Sequence, residues 1–212
     1  DRTDPFSIGL WVYVPANLEQ GVIFHSNKGS ALYTYKGYQV SIEEGRFDVR
    51  LAHNFPYNSI QLVSLEQVPR EKWIHIMLTY DGSSKAAGVE LYLDGQALNM
   101  SVARDNLYKD IVFHPTTDSG KPPVDQHLKI GARWRGKGFT DGGVDQIKVY
   151  RRELTPIEVQ MVSGVRQKDQ QTEESPHWSK EELFNYYIAN NDPSYQQLQN
   201  QLKRLRERYN RA

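Results

Sequence analysis

Two groups of side chains in this sequence combine flat aromatic rings with cations, imidazoles and amides. His25 and Ser26 close one alternating run, and Arg50, His53, Asn54 and Tyr57 occupy another run and the loop after it. Arg133, Trp134, Arg135, Lys137 and Phe139 crowd into a glycine-rich stretch. These types suit a polyhydroxylated ligand, whose apolar faces lie on aromatic rings while Arg, His, Asn and Asp fix its hydroxyls. Asp48, Arg50 and Ala52 share one face of their run, and Phe47, Val49 and Leu51 share the other, so the first three form an outward polar row. Structural roles compete for the same residues. His53-Asn54-Phe55-Pro56 can cap a loop, and Arg133 and Arg135 can pair with Asp118, Asp141 or Glu90.

Carboxylates raise two further chemistries. Asp145 has the strand parity of Ile147 and Val149, which places it on a face expected to be buried, and a buried carboxylate needs a partner. A structural calcium ion, with Asp4 and Asp141 as neighbouring ligands, is one solution. Hydrogen bonds from backbone amides or an arginine are the other. Glycoside hydrolysis needs two carboxyl groups across one cleft. No Glu-x-Asp-x-Glu run occurs, and Glu43 and Glu44 point to opposite faces of a strand that ends in a turn. Gly-x-Ser-x-Gly, a phosphate loop and His-x-x-x-His are also absent, so no catalytic residues are expected.

Composition narrows the partners. Lys plus Arg equals Asp plus Glu at 26 each, so charge-based recognition must be local. The chain has no cysteine, which removes disulfides, thiolate metal sites, thiol nucleophiles and covalent haem attachment in this fragment. No apolar run approaches the length of a membrane span.

The elements that must position these groups are mostly short strands. Phe6 to Val14 alternates cleanly, and similar runs follow at 21–26, 37–43, 46–54, 59–65, 73–80, 89–93, 128–133 and 144–150. Glu44-Gly45 and Asp94-Gly95 supply hairpin turns, and many short strands with such turns indicate an antiparallel sandwich. Thr155-Pro156-Ile157-Glu158 opens a short helix through a capping box, and Gly164 ends it. The sandwich therefore takes residues 1–164, and a polar linker takes 165–178. Residues 179–212 follow as a helical hairpin, opened by a second capping box at Ser179 to Glu182 and broken at Asn191-Asp192-Pro193. Tyr195, Leu198, Leu202, Leu205 and Tyr209 make a heptad seam of about two heptads, which needs a partner surface. Lys203, Arg204, Arg206, Arg208 and Arg211 suit a solvated helix face near a C-terminus better than a nucleic-acid stripe.

Four phrases in order carry a family resemblance: Phe6 to Val12, Trp73 to Gly82, Val89 to Gly95, and Gly143 to Tyr150 followed by Arg152 to Thr155. Over about residues 4 to 164 the chain resembles the laminin-G-like, concanavalin A-like jelly roll. That resemblance implies an all-β sandwich and a non-catalytic module that binds polysaccharide or docks domains. A polysaccharide hydrolase or lyase, or a purely structural spacer, is the alternative. Val22 to Ser26, Thr79 to Gly88, Leu107 to Ile111 and Leu128 to Phe139 are similar to the module within large Planctomycete-cytochrome multidomain proteins. This narrower likeness implies a secreted or periplasmic bacterial parent, with the C-terminal helices meeting a further domain.

Overall fold

The structure, a computed structural model, describes residues 1–27, 34–112, 127–133, 138–165 and 178–211. The strands are β1 (Phe6–Tyr13), β2 (Gly21–His25), β3 (Gly37–Glu43), β4 (Arg46–Asn54), β5 (Asn58–Ser64), β6 (Trp73–Tyr80), β7 (Val89–Leu93), β8 (Gln96–Ala97), β9 (Met100–Asp105), β10 (Lys129–Ile130) and β11 (Gly143–Tyr150). They form two antiparallel sheets, one ordered β11-β1-β6-β7-β8 and the other β10-β2-β3-β4-β5-β9. At both expected hairpins the two central residues have positive φ, 52° and 72° at Glu44-Gly45 and 50° and 83° at Asp94-Gly95. A two-residue turn of that hand matches the twist of the strands it joins.

Alternation decides which side of each strand faces inward. Ile8, Leu10 and Val12 of β1 and Ile74, Ile76 and Leu78 of β6 pack against Val40, Ile42, Phe47, Val49, Leu51, Ile60 and Leu62 of the other sheet. Each such side chain contributes roughly 1.5–3 kcal/mol on burial. Truncating a central one, as in Leu51→Ala, costs about 2–5 kcal/mol because the cavity collapses only in part.

The outer face of the five-stranded sheet is covered in part, around Met77 and Tyr92, and leaves Trp73 exposed. Helix α1 (Pro156–Ser163) lies near it, and Met77, Tyr92, Leu154 and Val159 form a second apolar cluster. The expected capping box at Thr155 and Glu158 is present, and Gly164 ends the helix at φ 62°. Glu158 also receives both guanidinium nitrogens of Arg152, at 2.8 and 2.6 Å, which fixes the chain's entry into the helix.

Two helices follow, α2 (Lys180–Asn191) and α3 (Pro193–Arg211). Ser179 caps α2 as expected, and the Trp178 indole donates to Gln160 Oε1 at 2.7 Å, tying α2 to α1. Only Asp192 separates α2 from α3, where antiparallel helices are joined by two to five residues. Its carboxylate accepts from the amides of Ser194 and Tyr195 and so caps α3. Helix α3 meets the sandwich through its cations: Lys203 lies 2.5 Å from Asp4, and Arg206 donates to the Asp81 carbonyl at 2.9 Å. The seam residues Leu198, Leu202, Leu205 and Tyr209 are all exposed. No helix among the described residues is long and apolar enough to cross a membrane. Of the expected linker, residues 166–177 lie outside the described ones.

Candidate ligand-binding site

The six-stranded sheet turns a different surface outward. Its register aligns Lys129, His25, Gln39, Arg50, Gln61 and Arg104 in one row across β10, β2, β3, β4, β5 and β9. Polar groups in the middle of this row are tied to one another. Asp48 Oδ1 lies 2.5 Å from Arg50 Nε, and its other oxygen accepts from Gln61 Nε2 at 2.6 Å. Gln39 accepts from Asn27 Nδ2 at 2.9 Å and from Arg133 Nη1 at 2.7 Å, and donates to Ser41. Asp48, at 3% exposure, and the fully buried Gln39 are therefore not an open platform. Burial pushes the Asp48 carboxyl above its ordinary range, and the Arg50 guanidinium opposes that rise.

A second layer of side chains is held by this buried row. Arg133 lies over the Tyr35 ring at 5.0 Å, and Arg50 and Arg104 lie over the Phe55 ring at 4.5 and 5.6 Å. Tyr35 and Phe55 meet edge to face at 6.2 Å. Three guanidiniums thus share two rings, each arginine oriented by ring quadrupole attraction and the inner two also by hydrogen bonds or ion pairing. Tyr35 and its neighbour Thr34 both have φ of 55°, an uncommon conformation for side-chain-bearing residues and rarer still for a β-branched one. The amide of Phe55 donates to the Thr34 carbonyl at 2.9 Å, which anchors Tyr35 beside Phe55.

Each expected ligand residue now has a place. Arg50 and Arg133 come together in the cluster. Tyr57 stands 75% exposed at the β4–β5 tip, two residues beyond Phe55. Asn54 is half-buried near the same tip, opposite Asn58. His53 is committed to the backbone of the neighbouring segment, with Nδ1 2.6 Å from the Asp110 carbonyl. His25 is 1% exposed, with Nε2 2.8 Å from the Ala132 carbonyl and Nδ1 accepting from the Asn27 amide. It does not face a ligand; it fixes the backbone on either side of Arg133's approach, and burial pushes its imidazole below the ordinary value. Phe139, expected in the aromatic loop, is buried in the core. Trp134 and Arg135 lie outside the described residues.

Sequence reading missed Tyr35, Gln39, Phe55, Gln61 and Arg104. One signal was available for Gln39. In the otherwise buried run Tyr38-Gln39-Val40-Ser41-Ile42, polar residues alternate with apolar ones, which marks an outward face that is both polar and covered.

The three aspartates expected to hold calcium do not converge. Asp145 pairs in register with Trp11, whereas Asp4 precedes Phe6 at the opposite end of β1, and Phe6 to Trp11 alone spans about 17 Å of strand. Asp145 is exposed rather than buried, and its carboxylate caps the Gln146 amide at 2.7 Å. The burial argument fails because its reference residues Ile147 and Val149 are themselves exposed on the edge strand β11, and because Gln146, with φ of 49°, and a register shift between Gly9 and Trp11 break the alternation. Asp4 binds Lys203 and the N-terminal amine, and Asp141 is exposed. No group of three or more His, Asp or Glu side chains among the described residues could hold a metal ion.

A two-sheet antiparallel sandwich with one outer face partly covered by a helix and the other lined by polar side chains has a lectin-type architecture, and comparison with known proteins agrees. A family model described as the concanavalin A-like lectin/glucanases superfamily matches residues 1–160, and the chain belongs to that superfamily. Among solved structures, it is similar to the CBM40 of Ruminococcus gnavus IT-sialidase bound to α2,3-sialyllactose. That match has TM-score 0.56 and 16% identity, covering 76% of this chain and 84% of the other. It is also similar to the receptor-binding domain of botulinum neurotoxin mosaic serotype C/D, with TM-score 0.50 and 14% identity, covering 76% and 36%. The binding domain of botulinum neurotoxin serotype G aligns at TM-score 0.47 and 18% identity over the same shares. This chain spans about a third of those toxin domains. At these identities the likeness is one of fold.

Proposed function

We propose that this chain is a non-catalytic glycan-binding module, working outside the cell, whose ligand sits on the arginine and aromatic layer over the six-stranded sheet. The observation that carries this reading is the contrast between the two outer faces. One is covered over Met77 and Tyr92 by apolar packing under α1 and leaves Trp73 exposed, whereas the other uses an interlocked polar row, Gln39, Asp48, Arg50 and Gln61, to hold arginines against two rings. Burying polar groups costs free energy unless every partner is supplied, so an apolar cover would be the simpler way to close a sheet. Rings for the C–H faces of a sugar and donors for its hydroxyls are what the second layer offers. The R. gnavus module, solved with sialyllactose, supports the reading by showing the same architecture in a carbohydrate-binding role. Asp48, the one described carboxylate in the cluster, is held by Arg50 and Gln61, which favours binding over hydrolysis.

Affinity electrophoresis through gels containing a panel of polysaccharides tests this. At least one polymer should retard the protein, and Tyr57→Ala, at an exposed position, should weaken that retardation. Free migration through every gel would leave a spacer role instead.

A further inference from the structure

We propose that the ligand is an anionic glycan whose carboxylate or sulfate group is taken by Arg104 and Arg133 above the Tyr35 and Phe55 rings. The inference rests on the glycan-binding reading and names its ligand class. Three cations, Arg50, Arg104 and Arg133, meet at the two rings, and the carboxylate in their midst is already used. Asp48 is buried and spends its oxygens on Arg50 and Gln61. Arg104 is exposed, and buried Nε of Arg133 has no hydrogen-bond partner among the described residues. Among the described residues the accessible charge at these rings is therefore positive, while the chain as a whole carries formal net charge +0. A neutral sugar would add no counter-charge to Arg104 and Arg133 beyond the Asp48 already paired with Arg50. An anion would supply one, and a guanidinium fork matches carboxylate and sulfate geometry with two parallel donors. Burial pushes the Arg133 guanidinium below its ordinary value, with Arg50 adding to the effect and Tyr35, Glu43 and Asp48 opposing it. The three cations gather at two rings that touch each other, which favours a single acidic residue of a sugar chain over the extended stripe a nucleic acid needs.

The full chain would be titrated by calorimetry with polygalacturonate, its methyl ester, dextran sulfate and dextran, at about 0.15 M salt to suppress loose attraction. Tighter binding to polygalacturonate than to its ester assigns a carboxylate, and preference for dextran sulfate over dextran assigns a sulfate. Arg104→Ala and Arg133→Ala should each weaken binding about tenfold, the loss expected for one charge-assisted hydrogen bond. Arg104→Lys, which keeps the charge but loses the fork, should recover little. Arg204→Ala with Arg208→Ala on α3 should change nothing, with thermal midpoints confirming that every variant folds. Equal affinity for charged and neutral polymers would overturn the anionic inference and leave glycan binding intact. Binding to none would overturn both. Loss in the α3 variant, or equal competition by a DNA oligonucleotide, would overturn the site and reassign the cations to polyanion contact.

Discussion

Asp48 and Arg50, two residues apart on β4 and so on one face of the strand, bring Oδ1 and Nε to 2.5 Å beneath the Phe55 ring system. Their pairing neutralises the carboxylate buried beneath the rings and orients the central arginine. Everything above them depends on that arrangement.

Breaking the pair from one side should be costly. Arg50→Met leaves Asp48 buried and unpaired, and such losses run to about 3–5 kcal/mol. The sign with pH follows from the charged form being the one that suffers. A carboxyl whose folded pKa is raised takes up its proton earlier in the native state, so the defect should shrink as pH falls and grow as it rises. Adding Asp48→Leu should recover much of the stability. Urea denaturation of the single and double variants across pH measures all three expectations.

His75 predicts a second pH effect. It is buried beside the Trp11 ring at 5.6 Å, and neither ring nitrogen has a hydrogen-bond partner among the described residues. Burial, then the Lys148 charge, push its imidazole from 6.5 to about 4, with Asp94 opposing. The unfolded chain therefore binds the proton first. Stability from this residue is complete above about 6.5 and is lost as pH falls towards 4, by about 3 kcal/mol. His25, whose imidazole burial also lowers, contributes a slope of the same sign, so the comparison must be with His75→Phe, whose stability should fall less between those limits.

Gly37 opens β3 with φ of 134°, and an added Cβ would lie 2.2 Å from the Ser26 carbonyl oxygen. Gly37→Ala must therefore displace Ser26 and Asn27, and with them the hydrogen bond that orients Gln39. A destabilisation of about 2 kcal/mol is expected from strain and clash together. Equilibrium denaturation would show it, and an unchanged midpoint would contradict the packing at this crossing.

The α3 seam predicts the opposite. Leu202 and Leu205 are exposed, while Lys203 and Arg206 touch the sandwich. Leu202→Ser and Leu205→Ser should each change stability by no more than about 0.5 kcal/mol. A drop of several degrees in Tm would show that the seam is covered in solution.

Much of the sandwich was legible because its strands have one buried face. Phe6 to Tyr13 and Trp73 to Tyr80 alternate so regularly that β1 and β6 follow from sequence. Strand β9 does not, because it is an edge strand exposed along nearly its whole length, and no face leaves a hydrophobic trace. Arg50 and Arg133 were visible as cations among aromatics. Their partners were not, since Tyr35, Phe55 and Arg104 reach them through tertiary register, which spacing along one strand does not encode. Asp145 misled because β11 is an edge strand whose Ile147 and Val149 are exposed despite being apolar, and because a left-handed residue at Gln146 breaks the alternation.

The central claim is the location of the ligand, and arginine side-chain NMR tests it most directly. Titrating labelled protein with the polysaccharide fragment that retards it best should shift the Nε–Hε signals of Arg104 and Arg133 and the ring signals of Tyr35, Phe55 and Tyr57. Signals of Trp11, Arg152 and Arg206, on the other sheet and the helices, should stay in place. Shifts confined to that second set would contradict the account.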